Sequence, residues 1–263
     1  MTTTAKFLLS ALLFVPLSFC AAQEKLEPLH APDGGTIERF ASISIPSMAN
    51  APFTANVNTQ WIRHLPDGSN ITLINHRAIA RDAQGRVFEE RRSFVPDDGK
   101  REPAAYQIEI SDPVAHVRYV CRVAAHSCRA EQFSGRNFVA KAAVGAAAGQ
   151  APGQTVEKLG NQIVSGIDTV GSRETRVVQA ATIGNEAPIL ERREYWYSAK
   201  LGINLITRRE DPRFSTQQNF EVTDIALGDP DASLFAPPEG FKIIDLRKPV
   251  ESNAATADSP SRN

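Results

Sequence analysis

From Pro52 almost to Leu227, apolar and polar residues alternate at period two in short runs, and turn-forming residues separate the runs. Period two puts successive side chains on opposite sides of an extended strand, so this pattern restricts the chain to sheet. The run from Pro52 carries Phe53, Ala55, Val57, Thr59 and Trp61 on one side, and Pro66-Asp67-Gly68 then supplies a turn. Runs from Asn70 and Gly85 follow, joined by Asp82-Ala83-Gln84-Gly85, where glycine tolerates positive φ. An earlier run, Thr36 to Pro46, also reads as a strand. Connections this short join antiparallel neighbours, so the first half is a meander.

The alternation fails between Asn137 and Gln154, an Ala/Gly-rich stretch read as a flexible crossover, with an ordered helix as the alternative. No Gly-Lys-Ser/Thr step closes it, which argues against a phosphate loop. Strands resume near Leu159 and continue through runs ending near Gln179, Tyr197, Glu210 and Leu227. The closing segment from Gly228 is expected to tuck Leu234, Phe235 and Phe241 against the sheet, and the polar tail 249–263 is expected to be disordered. About ten strands with little helix make the fold class mainly β: one large antiparallel sheet, curved to limit its edges.

At the N-terminus, Lys6 precedes an apolar run from Phe7 to Phe19 and the small residues Cys20, Ala21 and Ala22. This reads as an export signal, residues 1–22, cleaved after Ala22. Phe19 stands where an acylated-cysteine motif has a small residue, which argues against a lipid anchor on Cys20. Residues 23–248 are then a single β-rich domain. No later run is apolar enough to span a bilayer, which takes about 20 residues. The 29 Lys and Arg balance 30 Asp and Glu along the whole chain. Cations scattered among acids offer no basic face for nucleic acid.

Export leaves Cys121 and Cys128, whose flanks alternate as strands do, and a disulfide across a hairpin is expected. His116 and His126 lie close by, but His116 is an odd number of residues from Cys121 and points to the other face. A zinc site is therefore disfavoured, and no metal or cofactor is expected.

No catalytic constellation emerges. Ser134 and Ser165 lack a nucleophile elbow and read as turn residues. His64 and His76 flank a turn without metal spacing. The acids Glu89-Glu90 and Asp97-Asp98 read as solvated surface. In Tyr195-Trp196-Tyr197, parity turns Trp196 to one face and both tyrosines to the other. Arg208, Arg209, Glu210, Asp211 and Arg213 cluster at a strand end; arginines there could hold an anionic head group, or the run is simply an exposed Asp-Pro turn.

The order Trp196, Gly202, Leu205, then Leu234, Phe235, Pro238, Gly240 and Phe241 resembles the C-terminal half of the periplasmic LolA-like superfamily, which includes lipoprotein carriers. The phrases ISDPVAHVRYV, GNEAPI and REDPRF also resemble a group of exported proteins of soil bacteria. The resemblance implies an incomplete β-barrel, a periplasmic location, no enzymatic activity, and a concave face holding an apolar ligand such as a lipid or lipoprotein acyl chain. Trp61, Trp196 and Phe220 are the ligand-binding candidates. Capture of a segment of another envelope protein is the alternative, and a hydrolase the weaker one. In lipoprotein carriers helices plug the concave face, whereas here only the Ala/Gly stretch could supply one.

Overall fold

The computed structural model describes residues 42–133 and 153–247. Its strands are β1 (Phe53–His64), β2 (Asn70–Arg81), β3 (Val87–Arg92), β4 (Val95–Pro96), β5 (Ala105–Asp112), β6 (Val117–Arg122) and β7 (Ser127–Gln132). After the crossover come β8 (Gln154–Val164), β9 (Ile167–Val178), β10 (Ile189–Ser198), β11 (Ile203–Asp211), β12 (Thr216–Leu227) and β13 (Lys242–Asp245). One 3₁₀ turn, Ala232–Phe235, precedes β13.

All thirteen strands join one sheet, ordered β13-β7-β6-β5-β3-β2-β1-β12-β11-β10-β9-β8, with β4 also on β2. Neighbours are antiparallel except β13, which runs parallel to β7. The two meanders meet through β1 and β12, strands far apart in sequence. The sheet is strongly curled without closing. β9 lies three strand spacings from β12, about 14 Å in a flat sheet. Yet Ser165, in the turn between β8 and β9, donates from Oγ to the Val222 carbonyl at 3.1 Å.

Register sorts the side chains, because directly paired residues point the same way. The front face carries Phe53, Val57 and Trp61 of β1, Arg77, Ile79 and Arg81 of β2, and Phe220 and Val222 of β12. The back carries Asn58 and Gln60, His76, Phe88 and Ile110. A front core joins Phe53, Val57, Ile79, Val87, Phe220 and Val222. Ile43 and Ile45 pack onto it from the segment that leads into β1. On the back, Ala80, Phe88 and Ile110 receive Phe235, with Leu234 packed beside it. The closing segment therefore docks where expected; Phe241 instead lies 5.2 Å from the His126 ring.

Residues 42–48, within the run read as a strand, join no ladder. Side chains take up their carbonyls instead. Arg77 donates to the Ile43 carbonyl at 3.0 Å, and Arg81 donates to Pro46 at 3.0 Å, Ala51 at 3.0 Å and Leu201 at 2.6 Å. Pro46 has no N–H to offer a neighbouring strand. Burial pulls the Arg81 guanidinium down to about 10, still well above neutrality. Between β3 and β4 the ladder breaks, and the Asn75 side chain spans the gap by donating to the Arg92 and Ser93 carbonyls.

Cys121 and Cys128 are directly opposed across β6 and β7 and form the expected disulfide. The Ala/Gly stretch falls almost wholly outside the described residues, as do the signal, the tail and Ser134. No helix among the described residues is long and apolar enough to cross a membrane.

Candidate functional site

The back of β1, β2 and β8–β12 carries two adjoining depressions that share Arg208. The larger, about 580 Å³, is lined by Glu157, Arg173, Thr175, Arg192, Arg193, Glu194, Arg208, Arg209, Glu210 and Gln217. The smaller, about 420 Å³, takes in Asn58, Gln60, His76, Asn219 and Glu221.

Glu194 organises the larger one. Its carboxylate accepts from Arg208 Nη1 at 2.9 Å, from Arg173 Nη2 at 3.0 Å and from the Trp196 indole at 3.0 Å. Arg173 also donates to Glu157 at 3.1 Å, and Arg192 pairs with Glu210 at 3.8 Å. Register explains the order: Glu157, Arg173, Glu194 and Arg208 lie side by side on four successive strands. Burial opposes ionisation of Glu194, but the indole and the two arginines more than offset it and hold its carboxyl below the usual range. The bond to Glu194 also orients Trp196, whose ring lies against Gly171. A Cβ on Gly171 would stand 2.8 Å from that ring, so only glycine fits beneath it.

The smaller depression is walled by amides. Asn219 donates to Gln60 at 3.1 Å, Gln217 donates to Asn219 at 3.1 Å, and Asn58 donates to Thr223 at 3.0 Å. A primary amide offers two donors and an acceptor with two lone pairs, so each retains capacity for a ligand. At the rim, His76 Nε2 sits 2.7 Å from Glu102.

The three candidate ligand residues do not converge. Trp61 and Phe220 are buried on the front, Phe220 within the core and Arg209 over its ring at 5.4 Å. Trp196 is half-buried on the back. Parity within β10 holds, with Tyr195 opposite Thr207 on the front and Trp196 opposite Ile206 on the back. The relation between Trp61 and Trp196 depends on register through β12 and β11, which neither strand's own sequence encodes. The groove residues Asn58, Gln60, Asn219 and Glu194 were not singled out by sequence. Their signal was the even-numbered polar side of β1, facing a polar side of β12.

The acids read as solvated surface divide. Asp98 is exposed and pairs with Arg101 at 3.4 Å. Glu89 is instead buried on the front against Arg77 at 3.0 Å, because both lie beneath Ser42 and Ile43. Ser165 spends its hydroxyl on the Val222 carbonyl, and His64 Nδ1 sits 2.7 Å from the Asn70 amide oxygen. Among the described residues no three His, Cys, Asp or Glu gather as metal ligands would.

No family model matches the sequence, and no curated protein matches it. Among solved structures, the chain is similar to the MucA/MucB complex of Pseudomonas aeruginosa, with 14% identity and a TM-score of 0.38 over 73% of this chain and 58% of that one. LprF of Mycobacterium bovis shows 11% identity and a TM-score of 0.32, over 73% of this chain and 90% of that one. A LolA superfamily protein of Nitrosomonas europaea shows 10% identity and 0.27, over 73% and 92%. The chain spans less than two thirds of the MucA/MucB chain it matches.

Proposed function

We propose that the protein is a non-enzymatic binding protein of the cell envelope, and that it holds an extended segment of another protein along the back groove. One observation carries this reading. The groove is lined by amides and by ion-paired arginines and glutamates, while the two buried apolar clusters are packed on by the protein's own Ile43, Ile45, Leu234 and Phe235. An extended peptide presents backbone donors and acceptors at regular spacing, which a row such as Gln217, Asn219 and Gln60 can meet.

Photo-crosslinking tests it. A benzoylphenylalanine at Gln60 or Thr175 should trap a protein segment in the envelope, and the same probe at Gln107 on the front should not. Arg208→Glu should lower the groove adduct at least five-fold. Lipid of discrete mass in native mass spectra, with no groove adduct, would overturn the reading.

A second reading, an apolar ligand such as a lipid or acyl chain, is favoured by one place. A depression of about 360 Å³ beside the β8–β9 turn is lined by Ile163, Val170, Tyr197 and Ala199. Ile163 is 69% exposed and Val170 56%. On that reading Val170→Asp abolishes lipid co-purification and leaves the groove adduct intact.

A further inference from the structure

Arg208 lines both depressions of the back groove, so a segment running from one to the other passes over it. It stands at the end of a row of charge. Glu157, Arg173, Glu194 and Arg208 alternate on successive strands, but the next residue in register, Asn219 of β12, is neutral. Asn219 is also committed: its amide donates to Gln60 at 3.1 Å and its oxygen accepts from Gln217 at 3.1 Å. The row therefore closes on a cation.

Glu194 answers that cation only in part. Arg208 reaches it through Nη1 alone, at 2.9 Å, and the same carboxylate oxygen also accepts from the Trp196 indole at 3.0 Å. The other oxygen accepts from Arg173. A guanidinium can offer a carboxylate two parallel N–H groups, and Arg208 has not formed such a fork. Among the described residues Glu194 is its one ion-pair partner. The Arg208 side chain is 55% exposed, which leaves its remaining donors open to a ligand. Within the smaller depression the sign then reverses. Glu221 lies two residues along β12 from Asn219, about 7 Å in an extended strand, and forms no ion pair among the described residues.

We infer, on the basis of the peptide reading above, that the segment held in the groove places an Asp or Glu side chain on Arg208. A carboxylate there completes the fork and ends the row on an anion. One seated over Glu221 instead meets like charge, so the acid is confined to one place along the groove.

Benzoylphenylalanine at Gln60 of the full chain tests it, with the trapped segment sequenced by mass spectrometry. Gln60 and Arg208 are two strands apart, about 10 Å, so an Asp or Glu should lie about three residues from the trapped residue. A synthetic peptide copied from that segment is then the probe. Replacing its acid with Gln should weaken binding at least five-fold, and replacing it with Lys further still. The Lys peptide should bind Arg208→Glu at least five-fold more tightly than it binds the parent, a reversal that a loss of fold could not produce. Absence of any groove adduct overturns the peptide reading and this inference together. An adduct whose segment has no acid in that place, or whose acid can become Gln with less than a two-fold change, overturns this inference alone. So does a Lys peptide that gains nothing from Arg208→Glu.

Discussion

The sheet contains two ladders of alternating charge, one on each wing and on opposite faces, and burial sets them apart. On the first wing Arg77, Glu89, Arg91, Glu109, Arg118 and Glu131 follow one another across β2, β3, β5, β6 and β7. It begins dry, with the Arg77 and Glu89 side chains 3% and 8% exposed under the segment that carries Ser42 and Ile43. On the second wing Glu157, Arg173, Glu194 and Arg208 form an open ladder, with Arg208 55% exposed. Similar chemistry does different work in the two places. Beneath a covering segment the charges hold the fold together; in the open they form the wall of a groove.

The comparison breaks most sharply at Arg77. Arg77→Met leaves Glu89 in a dry site with Arg91 at 3.8 Å as its remaining cation, and should cost about 3 kcal/mol, the low end for breaking a buried pair. Urea unfolding would measure it, and a loss below 1 kcal/mol would erase the distinction between the wings. Replacing Cys121 and Cys128 with serine releases a short loop on the first wing and should cost about 2.5 kcal/mol by loop entropy. The same urea series reads that loss.

Acid should also act on the first wing. Burial opposes ionisation of Glu109, but Arg91 and Arg118 more than offset it, so its folded pKa lies below the ordinary 4.5. A depressed folded pKa stabilises in full above the unfolded value, and that stabilisation is lost as pH falls through the folded value. Thermal melts of the parent and Glu109→Gln should therefore differ most above pH 4.5 and converge in stronger acid. The smallest effect is expected at Arg208, where alanine should change stability by no more than about 1 kcal/mol. A larger loss would make the open ladder structural as well.

Much of the fold was legible because period-two alternation survives in strands that bury one side. Phe53 through Trp61 marked β1, and the disulfide followed from the parity around Cys121. Less legible was anything set by pairing between distant strands. β1 meets β12 only because two meanders close on each other, and that register sends Trp61 and Trp196 to opposite faces. The strand expected over Thr36–Pro46 failed, within its described residues, for a local reason: Arg77 and Arg81 take carbonyls that a ladder would have used. In sequence those arginines look like ordinary polar strand residues, and nothing nearby announces their burial. β13 has only four residues and pairs in parallel, so no turn chemistry pointed to it.

Gly171 leaves the space that seats Trp196, and this has an optical consequence. The protein has two tryptophans, one held in the back groove by Glu194 and the other enclosed on the front. Emission from Trp196 should respond when the groove fills, whereas Trp61 should change only when the sheet unfolds. With Trp61→Phe as the background, one fluorescence trace reports occupancy, and Trp196→Phe, measured in a separate sample, reports integrity.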